Sequence, residues 1–290
     1  MVVELHAEQV TDSITWHGEG PTPLDEGSTF AWLDMLAGDV LIRAFPDGAI
    51  DRYPVHPDVV SVVRPRLAGG LVVTTERDVV TYPDGLAGSS SVLATLPLPE
   101  GVRLNDGGCD ARGRLWIGSM AYDVTPGAGE LYVVDEGGSF ESVLTGLTIS
   151  NGLAFTADGA QAYFIDSTTL AVDRLVLGDD GSVESRQVWA TVKEGSGLPD
   201  GLTLDDAGGV WVALFGGGTV LRFDAGGELD TIVRLPVSQP TACSFLGTTG
   251  RLLITTSRYG LATDAELPAG SLFAVETPHR GLAPHPFGSR

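Results

Sequence analysis

One local pattern returns six times along this chain, and it leaves few folds open. A glycine turn precedes a short strand carrying an aromatic or large apolar residue. Gly27 stands before Phe30-Ala31-Trp32-Leu33, Gly69 before Leu71-Val72-Val73, and Gly113 before Leu115-Trp116-Ile117. Gly159 stands before Ala162-Tyr163-Phe164-Ile165, Gly208 before Val210-Trp211-Val212, and Gly250 before Leu252-Leu253-Ile254. Residues 199–230 show the unit in full, opening on a turn at Pro199-Asp200-Gly201 and alternating strand with glycine-rich turn thereafter. That alternation is the grammar of a four-stranded antiparallel sheet. A period of about 40 to 50 residues fits a propeller blade.

The expected fold is therefore all-β, a six-bladed β-propeller with four antiparallel strands per blade. Helical periodicity is weak, and glycine and proline break every window long enough for a helix. The 290 residues suggest two domains by length alone. A repeat overrides that prior, and with no linker-like segment residues 1–290 read as a single domain. The first strand, within residues 2–10, and the last, residues 271–275, are expected to pair within one blade and close the ring.

A formal charge of −21 excludes the basic footprint that nucleic acid requires. The same charge favours cation capture, and it also simply aids solubility. No apolar run approaches the length of a membrane span. The N-terminus lacks the basic region and apolar core of a signal peptide. Cys109 and Cys243, far apart in sequence, read as buried free thiols in a reducing cytoplasm.

Counting back eight residues from each repeat glycine gives Glu19, Ser61, Asn105, Asn151, Asp200 and Ala242. If the blades superpose, these residues stand at equivalent positions beside the central channel. Glu19, Asn105, Asn151 and Asp200 all offer oxygen, which suits a hard divalent cation. No histidine falls in this register, so a histidine-rich zinc site is not indicated. Asn-Gly and Asp-Gly are also strong turn formers, and Asn151-Gly152 or Asp200-Gly201 alone reads first as a turn. Glutamate has no special turn role, and Glu19 tips the balance towards a site.

Arg103 adds a guanidinium close to Asn105, suited to the hydroxyl or carbonyl oxygens of a polar substrate. A salt bridge to Asp106 is an equal reading. Asp123 follows the strand ending Gly118-Ser119-Met120, where it hangs over the site or is a solvated loop charge. No nucleophile elbow, Walker loop or Cys-x-x-Cys pair occurs. Gly216-Gly217-Gly218 lies between strands and is a turn. The five tryptophans read as blade packing.

Four ordered motifs carry a resemblance. They are His17-Gly18-Glu19-Gly20-Pro21, then Arg103-Leu104-Asn105-Asp106-Gly107 with the run Asp110 to Met120, then Ser150-Asn151-Gly152-Leu153 with Tyr163-Phe164-Ile165-Asp166-Ser167, and Pro199-Asp200-Gly201-Leu202 with Trp211-Val212-Ala213. Together they resemble the senescence marker protein/regucalcin/gluconolactonase family of six-bladed propellers. The resemblance implies one divalent metal (calcium, zinc, manganese or magnesium) held by Glu19, Asn151 and Asp200. It implies substrate contacts from Arg103 and Asn105. Asp123 aligns with a further substrate-binding acid, usually glutamate. The implied activity is hydrolysis of a sugar lactone to its aldonic acid by metal-activated water, with Asp200 as general base. A phosphotriesterase-type hydrolase and a non-catalytic calcium-binding propeller are the alternatives. Neither the particular lactone nor the oligomeric state is legible.

Overall fold

A computed structural model describes residues 2–56, 58–262 and 265–289. Six sheets surround a central channel, and each contributes one blade. Blade one comprises Gly18–Pro23, Thr29–Asp34, Asp39–Ala44 and Ile50–Pro54; blade two Val60–Pro65, Leu71–Thr75, Asp78–Tyr82 and Ser91–Thr95. Blade three comprises Val102–Cys109, Leu115–Ala121, Gly129–Val134 and Phe140–Leu147; blade four Ser150–Phe155, Gln161–Asp166, Ala171–Leu177 and Val183–Thr191. Blade five holds Leu198–Leu204, Val210–Phe215, Thr219–Phe223 and Leu229–Arg234, and blade six Pro240–Phe245, Arg251–Thr256 and Phe273–Glu276. Within each blade, consecutive strands pair antiparallel. The first strand of each blade packs against those of its two neighbours, and blade six meets blade one.

The ring closes as expected, with one addition. Glu8–Gln9 pairs antiparallel with the last strand as the outer edge of blade six. Just before it, Val3–His6 runs parallel to Leu229–Arg234 as a fifth strand on blade five. The N-terminal segment thus straddles two blades. A glycine-turn count has no signal for a parallel edge strand, because no hairpin leads into it.

Strands that carry unbroken apolar runs are explained by burial on both faces. In blade three, Leu115 and Ile117 pack towards blade two, while Trp116 packs towards blade four. In blade five, Val210, Val212 and Leu214 face blade four, and Trp211 and Ala213 face blade six. Each blade junction therefore has its own core, and a fully buried side chain of this size contributes about 1.5–3 kcal/mol. Aspartates pin the turns beneath. Asp110 Oδ1 accepts the amides of Arg112 and Arg114, and its Oδ2 accepts Trp116 Nε1 at 2.9 Å. Asp205 does the same in blade five with Ala207, Gly209 and Trp211, and adds the buried Arg222 at 2.6 Å.

The C-terminal segment crosses one mouth of the channel. Gly281 bridges to Asp205, His285 Nε2 lies 3.2 Å from the Thr156 carbonyl, and Phe287 bridges to Arg66. Leu282, Ala283, Pro284 and His285 cap a small cavity of about 90 Å³ that also touches Cys109 and Cys243. Both thiols are free and buried. Arg64, which lines that cavity, ties blade two to both its neighbours, donating to Thr22 Oγ1 at 2.7 Å and to the Gly107 carbonyl. Among the described residues, no helix is long and apolar enough to cross a membrane.

Candidate metal centre and active-site cavity

At the opposite mouth, every inner strand is interrupted at one level. Pairing to the second strand shifts between Glu19 and Thr22, Val60 and Val62, and Leu104 and Gly107. It shifts again between Ser150 and Leu153, Pro199 and Leu202, and Pro240 and Cys243. Such bulges re-aim side chains out of regular alternation. Here Glu19, Asn105, Asn151 and Asp200 line one cavity of about 450 Å³, together with Arg103. Ser61 and Ala242, the other members of the register, are not among its lining residues; Ser61 Oγ pairs with Thr74 Oγ1 at 2.7 Å instead.

Neither Asn151-Gly152 nor Pro199-Asp200-Gly201 is a turn; both lie inside inner strands. Their glycines answer to crowding near the channel axis. A Cβ on Gly152 would fall 2.6 Å from the Asp200 carbonyl oxygen, and one on Gly201 would fall 2.3 Å from the Ala242 Cβ. The position after each candidate ligand therefore admits no side chain.

Two further aspartates hold the approach to the site. Asp34 Oδ1 accepts the amides of Trp16 and His17 at 2.9 and 3.0 Å, just before Glu19. Asp166 accepts those of Thr148 and Ile149, both at 3.0 Å, just before Asn151. Each sits 15 residues after the residue it serves, at the end of its blade's second strand. A short 3-10 turn follows each, Met35–Ala37 and Ser167–Thr169, and these place Leu36 and Ser167 in the cavity wall.

The electrostatics are those of two buried acids with few partners. Glu19 accepts its neighbour Gly20's amide at 3.1 Å, and Asp200 receives the Asn151 amide. Burial pushes both carboxyls well above their ordinary range; Asp200 and Asp106 raise Glu19 further, and Asp106 raises Asp200. The guanidinium of Arg103 does not cancel this charge by direct pairing. Its Nη1 donates to Asn105 Oδ1 at 2.7 Å and to the Leu104 carbonyl at 3.0 Å, and the expected bridge to Asp106 is not formed. Asn105 Nδ2 donates in turn to the Ser150 carbonyl at 2.9 Å. His17 Nε2 stands 3.9 Å from Glu19 Oε1, with Nδ1 2.7 Å from Ser257 Oγ. Burial, with Arg103, pushes the imidazole down to about 3, so it is neutral.

This donor set fits a divalent cation. Two carboxylates buried together are costly without a counter-charge. Asn151 Nδ2 donates to Ser167 Oγ at 3.1 Å, and no hydrogen bond is assigned to its amide oxygen among the described residues. An all-oxygen set of Glu19, Asn151 and Asp200 suits a hard ion. A second group, Asp205, Asp206 and His279, also clusters ligand atoms. Its central carboxylate is already committed to Arg222, Trp211 and two amides, which leaves that group little call for a metal.

The structure does not bring Asp123 to the cavity. Its Oδ1 accepts the Thr125 amide at 3.0 Å and the Thr125 hydroxyl at 2.7 Å, on the exposed side of the loop. Val124 takes the inner place, with φ at 58°, a left-handed backbone that is an outlier for a β-branched residue. Sequence reasoning also missed His17, Ile149 and Leu198, which line the wall. The signal was available: each precedes a register residue by two, on the same strand face, as Arg103 does.

A family model described as "SMP-30/Gluconolactonase/LRE-like region" matches residues 17–258. The chain belongs to that family. A 6-deoxy-6-sulfogluconolactonase of Pseudomonas putida is 33% identical over 92% of this chain and 93% of its own. A pentonolactonase of Haloferax volcanii is 31% identical over 82% of this chain and 80% of its own. A solved structure described as a calcium-binding protein, regucalcin from Agrobacterium tumefaciens, superposes with a TM-score of 0.90 at 25% identity, over 100% of this chain and 99% of that one. The SMP-30/gluconolactonase/LRE-like match spans all four residues singled out by register.

Proposed function

We propose that this chain is a divalent-metal-dependent lactonase that opens a sugar lactone to its aldonic acid. The observation that carries the reading is the convergence of Glu19, Asn151 and Asp200 from three blades, two of them buried carboxylates short of donors. Relatives named for sugar-lactone hydrolysis, such as the Pseudomonas putida and Haloferax volcanii proteins, support the reaction class. When bound, a cation there supplies Lewis-acid polarisation of the lactone carbonyl and acidifies water. Calcium, zinc, manganese and magnesium are the candidates.

Glu19, Asn151 and Asp200 hold the ion. Asp200 takes the proton of the attacking water as its oxygen bonds to the carbonyl carbon. That proton is returned to the ring oxygen as the ring C–O bond breaks. Arg103 and Asn105 hold substrate oxygens, fixed by their mutual hydrogen bond and by the Ser150 carbonyl. Asp123 would join them only by giving up its hydrogen bonds to Thr125. The test is acid release from a lactone panel after metal is stripped and then restored. Turnover that returns with metal, and is absent in Asp200→Ala, supports the reading. A metal-bound protein inert on every lactone supports instead a calcium-binding propeller, the rival favoured by the description of the Agrobacterium structure.

A further inference from the structure

Beside the candidate ligands stands a histidine whose proton can be placed. His17 lines the cavity two residues before Glu19, its backbone held by Asp34 and by a bridge to Ser257. Its ring meets that of Tyr259 edge-on, with centroids 5.9 Å apart. Nδ1 lies 2.7 Å from Ser257 Oγ, which also accepts the Tyr259 amide at 2.9 Å. Ser257 is fully buried, and among the described residues its hydroxyl has no other hydrogen-bond partner. A hydrogen on Nδ1 alone would leave the serine proton buried and unpaired, which is strongly disfavoured. Ser257 accordingly donates to Nδ1, and the ring carries its hydrogen on Nε2. A charged ring carries one there too, so this donor is present in either state.

The Nε2 hydrogen meets no protein acceptor at bonding distance. Glu19 Oε1 faces it across 3.9 Å, beyond hydrogen-bond range. Oε1 is equally short of a partner, since the Gly20 amide that Glu19 accepts goes to Oε2. Both side chains are largely buried, and both line the cavity. A donor and an acceptor thus border one gap that neither closes. An oxygen about 2.8 Å from each satisfies both only by accepting from one and donating to the other. A hydroxyl does this, whereas an ether or carbonyl oxygen has no proton to give. A carboxylate oxygen keeps a lone pair for that proton while it holds a cation. The order Ser257, His17, Glu19 resembles a nucleophile relay, but Ser257 is buried and does not line the cavity. It orients the ring and attacks nothing.

Granting the lactonase reading above, we propose that His17 determines specificity: with Glu19 Oε1 it takes the hydroxyl on the carbon next to the lactone carbonyl. Glu19 is one of the three residues that hold the cation, and the carbonyl is polarised there. The hydroxyl adjacent to that carbonyl is therefore the one that reaches the gap. Within the sugar lactones, those with a 2-hydroxyl are selected over their 2-deoxy counterparts.

The test compares kcat/KM of the metal-replete enzyme on glucono-1,5-lactone and 2-deoxyglucono-1,5-lactone, and on ribono-1,4-lactone and 2-deoxyribono-1,4-lactone. Each value is divided by the spontaneous hydrolysis rate, because the hydroxyl also changes the reactivity of the carbonyl. In the pair that turns over faster, the 2-hydroxy lactone is expected to lead at least tenfold. His17→Leu should cut that ratio at least fivefold, and Ser257→Ala, which frees the ring, at least twofold. His17→Gln, whose amide N–H reaches a similar place, should keep most of it. Calorimetric titration with the metal that restores turnover should give each variant an affinity within about threefold of wild type, less than a disturbed ligand costs. A wild-type ratio near one, or a ratio that neither His17→Leu nor Ser257→Ala moves, overturns the inference and leaves the lactonase reading intact. So does metal affinity lost while both lactones of a pair slow alike, since His17 then acts only through Glu19. Inactivity of the metal-bound wild type on all four lactones overturns the lactonase reading itself, and the inference falls with it.

Discussion

Arg103 Nη1 donates to Asn105 Oδ1 across 2.7 Å, so the cavity's buried guanidinium is tied to an amide of its own strand and to neither carboxylate. The pair is set by period-two geometry, residues i and i+2 facing the same way. It keeps a positive charge near Glu19 and Asp200 without neutralising them, which leaves the cation site its charge.

Arg103→Met separates substrate handling from metal binding. Lactone turnover should fall at least a hundredfold, on the scale of losing one preorganised donor. Affinity for a divalent cation should hold or tighten, because a like charge has been removed. Calorimetric titration of the metal beside an acid-release assay reads both. Metal binding lost together with turnover would remove the substrate role from Arg103.

The raised carboxyls give the metal-free protein a distinctive pH dependence. Glu19 and Asp200 bind protons more tightly folded than unfolded. Stability from these groups is thus fully present below the ordinary carboxylate range and is lost as pH rises through the elevated folded values. These two groups tilt the melting temperature of the stripped protein downward as pH rises above the ordinary carboxylate range. Asp200→Asn should flatten that slope and raise the neutral-pH Tm of the stripped protein. A pH slope left unchanged by Asp200→Asn would contradict the burial argument.

Asp166 touches no substrate, yet it fixes the amides of Thr148 and Ile149 that lead into Asn151. Asp166→Ala should weaken metal binding about tenfold, as losses around a ligand do. It should also destabilise by about 1–3 kcal/mol per orphaned amide. Destabilisation with unchanged metal affinity would show that the clamp serves the fold alone.

Far from the cavity, Asp205 is fully buried against Arg222. Asp205→Ala leaves Arg222 with Asp230 as its remaining acid and takes the acceptor from the Gly209 amide and the Trp211 indole, and should destabilise by about 1–3 kcal/mol per orphaned buried donor. His279→Ala, in contrast, should leave the metal stoichiometry untouched. A stoichiometry reduced by His279→Ala would mean that the Asp205, Asp206 and His279 group binds a cation after all.

The sequence carried the propeller and four of its cavity residues for one reason. Glycine turn and register residue are two ends of the same hairpin, so a fixed offset along the chain becomes a fixed height along the channel. Glu19, Asn105, Asn151 and Asp200 were legible because their bulged strands repeat. What depends on no repeat was not legible. Val3–His6 joins blade five in parallel, with no turn to announce it. Asp123 turns outward because Thr125 offers it a local hydroxyl and amide, and such short-range competition leaves no mark on blade spacing. The glycines after Asn151 and Asp200 looked like turn chemistry, whereas their cause is the next blade's inner strand, at Asp200 and at Ala242 respectively.

The C-terminal segment spanning residues 281–288 bars the far mouth, and Arg64 ties three adjacent blades together behind it. What looks like a tunnel in a ring of blades is therefore a cul-de-sac. On the proposed lactonase reading, the lactone and the opened acid share one doorway.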